Sequence, residues 1–291
     1  MSSKEISALI TLLDDPNSEV FNTVMTNLLK KGSEAIPQLE KAWESSLDER
    51  LQRRIETIIQ KIQFTETSVR LKEWSEKGSH DLIAGASIIA AYQYPDYDAS
   101  KTEAFIEKLR KEIWLELNDG LTALEKIRII NHFIFEVQNF RRNTSNFNSP
   151  GNSFINNLID TKKGNPVSLG ILYAAIAQRL DLPVYGVNLP RNFILAWVDE
   201  YTEFDRDNPV VEPEDILFYI NPFNKGTVFG KKEIDFFIKQ QDLKTEKSFF
   251  IPCNNLDCIR ELVKDLIGNY DKLGYPDKIS DLNVLLGILN K

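Results

Sequence analysis

Between Gly164 and Leu180 this 291-residue chain spells a helix with no polar face, and that segment constrains most of what can surround it. Gly164 breaks the preceding element, Asn165 has the side chain of a helix cap, and Pro166 suits the first helical position, where an N–H is not needed. Val167, Leu169, Ile171, Leu172, Ala174, Ala175, Ile176 and Ala177 then put apolar groups on nearly every side. Such a helix is stable only when other elements pack all round it, so it should run through the centre of a domain. Short strand-like runs come next, at Val184–Leu189, Phe193–Val198, Ile216–Ile220 and Thr227–Phe229. One buried helix followed by adjacent strands predicts an α+β fold: a central helix against a small antiparallel sheet, with strands confined to about 180–235.

The flanks read as helix. Residues 1–63 carry four apolar stripes in turn: Leu9, Leu12 and Leu13; Val20, Val24, Leu28 and Leu29; Ile36, Leu39 and Trp43; then Leu51, Ile55, Ile58, Ile59 and Ile62. Asp14-Asp15-Pro16-Asn17 closes the first stripe and starts the second, which Gly32 ends. The stretch from Leu12 to Val20 resembles HEAT-type repeats, and a plain helical extension has the same apolar spacing. Residues 64–249 make the next region, helical in its first half, with amphipathic patterns over 102–117 and 121–137. Arg141 to Asn152 is rich in Asn and Ser and runs into Pro150-Gly151, a loop. Residues 250–291 return to helix, first through Ile259, Leu262, Val263 and Leu266, then past a Gly274-Tyr275-Pro276 turn.

Charge narrows the partners. Thirty-five Lys and Arg stand against 43 Asp and Glu, a formal charge of -8, so no nucleic acid partner is expected. No window approaches the apolar run of about 18 residues that a membrane span needs, and the first residues lack a signal-peptide core. A cytoplasmic protein without membrane contact is therefore expected. Cys253 and Cys258 read as reduced thiols, with a disulfide or metal pair as the other option. His80 and His132 are the only histidines, so no zinc-type cluster can be assembled and no cofactor is expected. Both histidines read as structural or surface groups. Asp199, Glu200, Glu203, Asp205, Asp207, Glu212, Glu214 and Asp215 face only Arg206. Without the glycine of a calcium loop this stretch reads as a solvated hairpin, a cation or basic-partner site being the alternative.

Three blocks then carry a resemblance: Asn152 through Tyr173, containing Gly164-Asn165-Pro166-Val167-Ser168-Leu169; Leu182-Pro183-Val184-Tyr185-Gly186-Val187-Asn188-Leu189-Pro190; and Tyr219-Ile220-Asn221-Pro222-Phe223-Asn224-Lys225-Gly226. With Tyr94-Pro95-Asp96-Tyr97-Asp98 and Asn131-His132-Phe133-Ile134-Phe135 upstream, they resemble bacterial transglutaminase-like proteins of the SirB type over about residues 80–285. The last helices are similar to the degenerate tetratricopeptide-like segment often fused behind such a domain. The resemblance implies a papain-like core. An active member places Cys at the start of the central helix, His at the opening of the next strand, and Asp or Asn at the end of the strand after that. The chemistry needs a thiolate, an imidazole to move its proton and a group to orient the ring. Carried over by position, those roles fall on Pro166, Asn192 and Asn221. Pro166 has no nucleophilic atom, and the neutral amide of Asn192 cannot act as a general base. Ser168 is turned away from that site by its helical spacing and reads as a buried, hydrogen-bonded serine.

These residues lead to the expectation of a non-catalytic transglutaminase-like protein, a binding or scaffold module whose partner is another protein. A thiol-hydrolase or acyl-transfer enzyme with a rebuilt site is the alternative, as is a small-ligand binder in the old cleft. The readings divide on whether any Ser, Cys, Asp, Glu or His enters the cleft lined by Pro166, Asn192 and Asn221.

Overall fold

A computed structural model describes residues 3–77, 81–190, 192–199 and 211–290. His80, Glu200, Glu203, Asp205, Arg206 and Asp207 lie outside them. The chain divides between Arg70 and Leu71 into two compact units.

Among its described residues the first unit has helices and their connections and no strand. It contains α1 (Ser3–Thr11), α2 (Ser18–Lys31), α3 (Ile36–Ser45) and the start of α4 (Glu49–Glu76). Asn17 caps α2 by accepting from the Glu19 N–H at 2.8 Å, which is why the chain turns after Pro16. The stripes read from the sequence meet in one core, where Leu13, Leu28, Leu39, Ile55 and Ile58 are fully buried. The Arg54 guanidinium donates to the Leu13 and Asp15 carbonyls at 2.6 and 2.8 Å, tying the α1–α2 turn to α4.

The second unit is α+β. Its helices before the sheet are α5 (Leu82–Gln93), α6 (Ala99–Trp114) and α7 (Ala123–Asn131), the last continuing as π-helical turns over His132–Val137. Then come β1 (Arg141–Arg142), α8 (Ile155–Thr161), β2 (Lys163–Gly164) and the central helix α9 (Pro166–Gln178). Four strands follow in a meander, β3 (Val184–Leu189), β4 (Asn192–Val198), β5 (Ile216–Asn221) and β6 (Thr227–Phe229), each antiparallel to its neighbour. Helices α10 (Lys231–Gln240), α11 (Asn255–Leu273) and α12 (Pro276–Leu289) complete the unit. Strands were expected only within about 180–235. The β1–β2 ladder departs from that, pairing Arg141 with Lys163 and Arg142 with Gly164 in parallel. Two residues per strand carry no alternation to read, and the ladder exists because tertiary folding lays one loop along another.

Every residue of α9 from Val167 to Gln178 is buried. Strands β3 and β4 cover one side of it, and α5, α8 and α11 pack on the others. On the sheet face away from α9, Val187, Leu189, Ile194, Ala196 and Tyr219 pack with Ile234 and Ile238 of α10. Strand alternation turns Phe193 the other way, against α9, and Gly170 is the residue that admits its ring. A Cβ at Gly170 would lie 2.3 Å from Phe193 Cδ1. The far end of α9 is held by charge: Arg179 reaches Asp81 at 2.9 Å and Glu103 at 2.6 Å. From the middle of the helix, Tyr173 donates to Asn131 Oδ1 and Asn131 Nδ2 donates to the Gly226 carbonyl, each at 2.9 Å, anchoring the β5–β6 turn to α7 and α9. Among the described residues, no helix is long and apolar enough to cross a membrane.

Gly226 combines two constraints. Its φ is +69°, and a Cβ there would fall 1.8 Å from Asn131 Oδ1. Gly226→Ala should therefore cost about 1–3 kcal/mol through backbone strain and displacement of the Asn131 bridge. Urea unfolding of the variant should show a lower midpoint with an unchanged slope; an unaltered midpoint contradicts the anchoring role.

Candidate functional site at the start of the central helix

The first turn of α9 is closed by a capping box. Asn165 Oδ1 accepts from the Ser168 N–H at 2.9 Å, and Ser168 Oγ accepts from the Asn165 N–H at 3.1 Å. The Ser168 hydroxyl donates to the Asn152 carbonyl at 2.6 Å, so it is fully engaged in structure. Asn152 is itself held, donating to the Asn146 carbonyl at 2.7 Å and accepting from Asn143 Nδ2 at 2.8 Å. The Asn- and Ser-rich loop thus folds back as the support of the helix start.

A carboxylate from distant sequence completes that support. Asp265, on α11, accepts at one oxygen, Oδ2, from Ser153 Oγ at 2.6 Å, Asn165 Nδ2 at 2.7 Å and Asn269 Nδ2 at 3.0 Å. Burial pushes its pKa above the usual aspartate value, against the pull of the Ser153 and Asn165 hydrogen bonds and of the Lys272 charge.

Beside this cluster lies a cavity of about 290 Å³. Pro166 and Val167 line it from the helix start, Asn192 and Phe193 from the opening of β4, and Glu261 and Asp265 from α11. Phe147, Lys264 and Lys272 complete much of its rim. Two of the three positions expected to carry the family's triad, Pro166 and Asn192, therefore face one cavity. Asn221 is not among its lining residues. It ends β5, the strand beside β4, and its Oδ1 accepts from the Asn224 N–H at 3.2 Å to cap a short turn. The Asn192 amide likewise serves its own backbone, accepting from the Phe193 N–H at 3.0 Å. Among the described residues, the cavity lining contains no Cys, Ser, Thr or His. It does contain two acids, Glu261 and Asp265.

The remaining candidates lie elsewhere. His132 is a surface group, its Nδ1 2.7 Å from Glu136 Oε2 with the His side chain 57% exposed. Of the acidic stretch, the described Glu212 pairs with Lys247 at 2.6 Å and Glu214 with Lys231 at 3.8 Å. Cys253 and Cys258 sit at the start of α11 as free thiols. Sequence reasoning missed Asp265, though a signal existed. Cys258, Leu262, Asp265, Leu266 and Asn269 share one helical face, and an acid on that buried stripe marks a carboxylate with a tertiary task.

The family model described as the transglutaminase-like superfamily matches residues 100–264, a span that holds Pro166, Asn192 and Asn221 and stops just before Asp265. A UPF0162 protein from Xylella fastidiosa strain Temecula1 is 26% identical over 153 residues, 53% of this chain and 50% of the relative. F-box only protein 21 of Mus musculus is 24% identical over 157 residues, 54% of this chain and 23% of that protein. A UPF0162 protein of Pasteurella multocida is 30% identical over 80 residues, 28% of this chain and 30% of the relative. The chain thus spans half or less of the length of these curated relatives. No solved structure matches it.

Two measurements test this site. Because folding raises the Asp265 pKa, its protonated form is favoured in the native state. The stability this adds is full below the unfolded aspartate pKa and is lost as pH rises through the folded one. Asp265→Asn should remove that component, so the wild type's unfolding free energy should fall relative to the variant's as pH rises above the ordinary aspartate range. A pH-independent difference overturns the assignment. For the thiols, the Cys253–Cys258 hydrogen bond and burial raise the Cys253 pKa, and Cys258 is 0% exposed. Iodoacetamide should label neither faster than a free model thiol.

Proposed function

We propose, since the chain belongs to the transglutaminase-like superfamily, that it is a non-catalytic member working as a protein-interaction module with a scaffold or regulatory role. One observation carries this reading: the cavity where Pro166 and Asn192 converge has, among the described residues, neither a nucleophilic hydroxyl or thiol nor an imidazole. Acyl transfer through a covalent intermediate needs both a nucleophile and a proton acceptor beside it. In this reading Pro166, Asn192 and Asn221 occupy the positions of a degenerate triad of SirB-type ancestry. The proline ring supports it, because Pro at the first helical position strengthens α9 where a reactive cysteine would stand. The match to 23% of F-box only protein 21 supports a domain that also serves as part of a longer chain.

Interaction surfaces would come from the helical ends, HEAT-like over 1–63 and tetratricopeptide-like over 250–291, with another protein as partner in the cytoplasm. The acidic balance of the sequence disfavours nucleic acid. The second reading, a rebuilt enzyme or small-ligand binder, draws on Asp265, a carboxyl of raised pKa lining the cavity.

Rebuilding the site separates these. In Pro166→Cys the introduced thiol should alkylate slowly; adding Asn192→His should speed labelling near neutral pH by about tenfold or more, through an imidazole that stabilises the thiolate. No acceleration would mean the two positions are not nucleophile and base. Wild-type turnover of thioester or amide acyl donors, abolished by Asp265→Asn, would replace the non-catalytic reading with the enzymatic one.

A further inference from the structure

The chain's two cysteines meet at the start of α11 in a geometry that the proposed function does not use. Asn254 caps this helix, its Oδ1 accepting from the Asp257 N–H at 2.7 Å. Cys253 is therefore the residue before the cap and Cys258 the fourth residue inside the helix. Those two positions are the ones whose apolar side chains pack together to fix the angle at which a chain enters a helix. Here both are cysteine, and their Sγ atoms lie 3.7 Å apart.

The surroundings hold the pair in place. The Cys253 N–H donates to the Gly186 carbonyl of β3 at 2.8 Å. Cys258 Sγ is packed so closely on the same residue that a Cβ at Gly186 would come within 2.6 Å of it. The Cys253 backbone and the Cys258 sulfur are thus held at one point of the sheet, leaving rotation of the Cys253 side chain as the main motion that brings the sulfurs together. A disulfide needs them about 2.0 Å apart, a closure of roughly 1.7 Å.

We propose that Cys253 and Cys258 form a redox modification site, in which a small hydroperoxide converts the non-covalent staple of α11 into an intramolecular disulfide. In the first step one cysteine, as its thiolate, attacks the peroxide; the O–O bond breaks, giving a sulfenic acid and water or an alcohol. The second thiol then attacks the sulfenic sulfur, an S–S bond forms and water leaves. Two electrons pass from the sulfurs to the peroxide, and both thiol protons end in the released water and alcohol. Burial of Cys258 favours a small oxidant over a bulky disulfide. The thiol-to-thiol hydrogen bond and burial keep Cys253 protonated, so the site responds slowly, to sustained oxidant. Its effect falls on α11, the helix that brings Glu261 and Asp265 to the cavity.

The test uses the full chain, reduced, exposed to hydrogen peroxide and followed by intact mass, tryptic mapping and thermal unfolding. Residues 248–260 fall in one tryptic peptide that contains both cysteines. Its mass should drop by two hydrogens, alkylation of both thiols should be lost, and dithiothreitol should restore both. The oxidised chain should melt about 2–4 °C higher, the shift expected for a small cross-link in a domain of this size. Cys253→Ser and Cys258→Ser should each abolish the two-hydrogen loss and the shift. Oxygen uptake without cross-linking, dimers joined through sulfur, thiols that stay fully alkylatable, or an oxidised chain that melts no higher would each overturn the proposal. None of these outcomes bears on whether the α9 cavity is catalytic.

Discussion

Complete burial of α9 is the constraint on which the second unit depends. A helix with apolar groups on every side gains about 1.5–3 kcal/mol for each large side chain it buries, but only if something covers each face. The sheet covers one side through β3 and β4, and α5, α8 and α11 take the rest. Burial then creates a second demand, since the polar backbone groups at the helix ends are also removed from water. At the start the demand is met by the capping box of Asn165 and Ser168, and at the end the Ala177 carbonyl accepts from the Leu180 and Leu182 N–H groups at 3.0 Å each, beside the Arg179 ion pairs with Asp81 and Glu103. The last residue of the helix, Gln178, adds a buried pair with Asn255, joined through reciprocal amides at 3.2 and 2.8 Å. The polar residues of this unit are therefore arranged largely around the needs of one apolar helix.

Local structure was legible wherever the pattern itself was local. The short, mostly apolar runs at Val184–Leu189 and Phe193–Val198 marked two strands because nearly every residue in them is buried, between α9 on one face and α10 on the other. The Asn165-Pro166 pair marked the helix start because cap and proline act within four residues. The β1–β2 ladder was not legible, because it depends on two loops meeting. The cavity was half legible. Pro166 and Asn192 could be brought together through resemblance to a family with a defined site. Glu261 and Asp265 belong to a helix read as a separate C-terminal region, and nothing in their neighbourhood names α9 as their partner. Asp265 announces only that a buried stripe contains an acid; the identity of its donors is a tertiary fact.

What the cavity offers chemically follows from these neighbours. The Asn192 amide is turned to its own backbone, the lysines sit at the rim, and Asp265 is engaged through one oxygen by three neutral donors, the Asn165 and Asn269 amides among them. This is an arrangement that holds shape. A carboxylate fixed in that way resists reorientation, and a serine locked into a capping box is unavailable as a nucleophile.

The Asp265 contacts also set an order of events. Its bonds to Ser153 and Asn165 span 112 and 100 residues of sequence. During synthesis the central helix and both of its covering strands emerge long before the carboxylate that closes the helix start. Until α11 arrives, the first turn of α9 lacks that partner, and its apolar faces lack one of their covers. A ribosome-bound chain should thus pass through a stage in which strands are present but the centre remains open. Proteases and chaperones would meet an exposed apolar helix until α11 has been made.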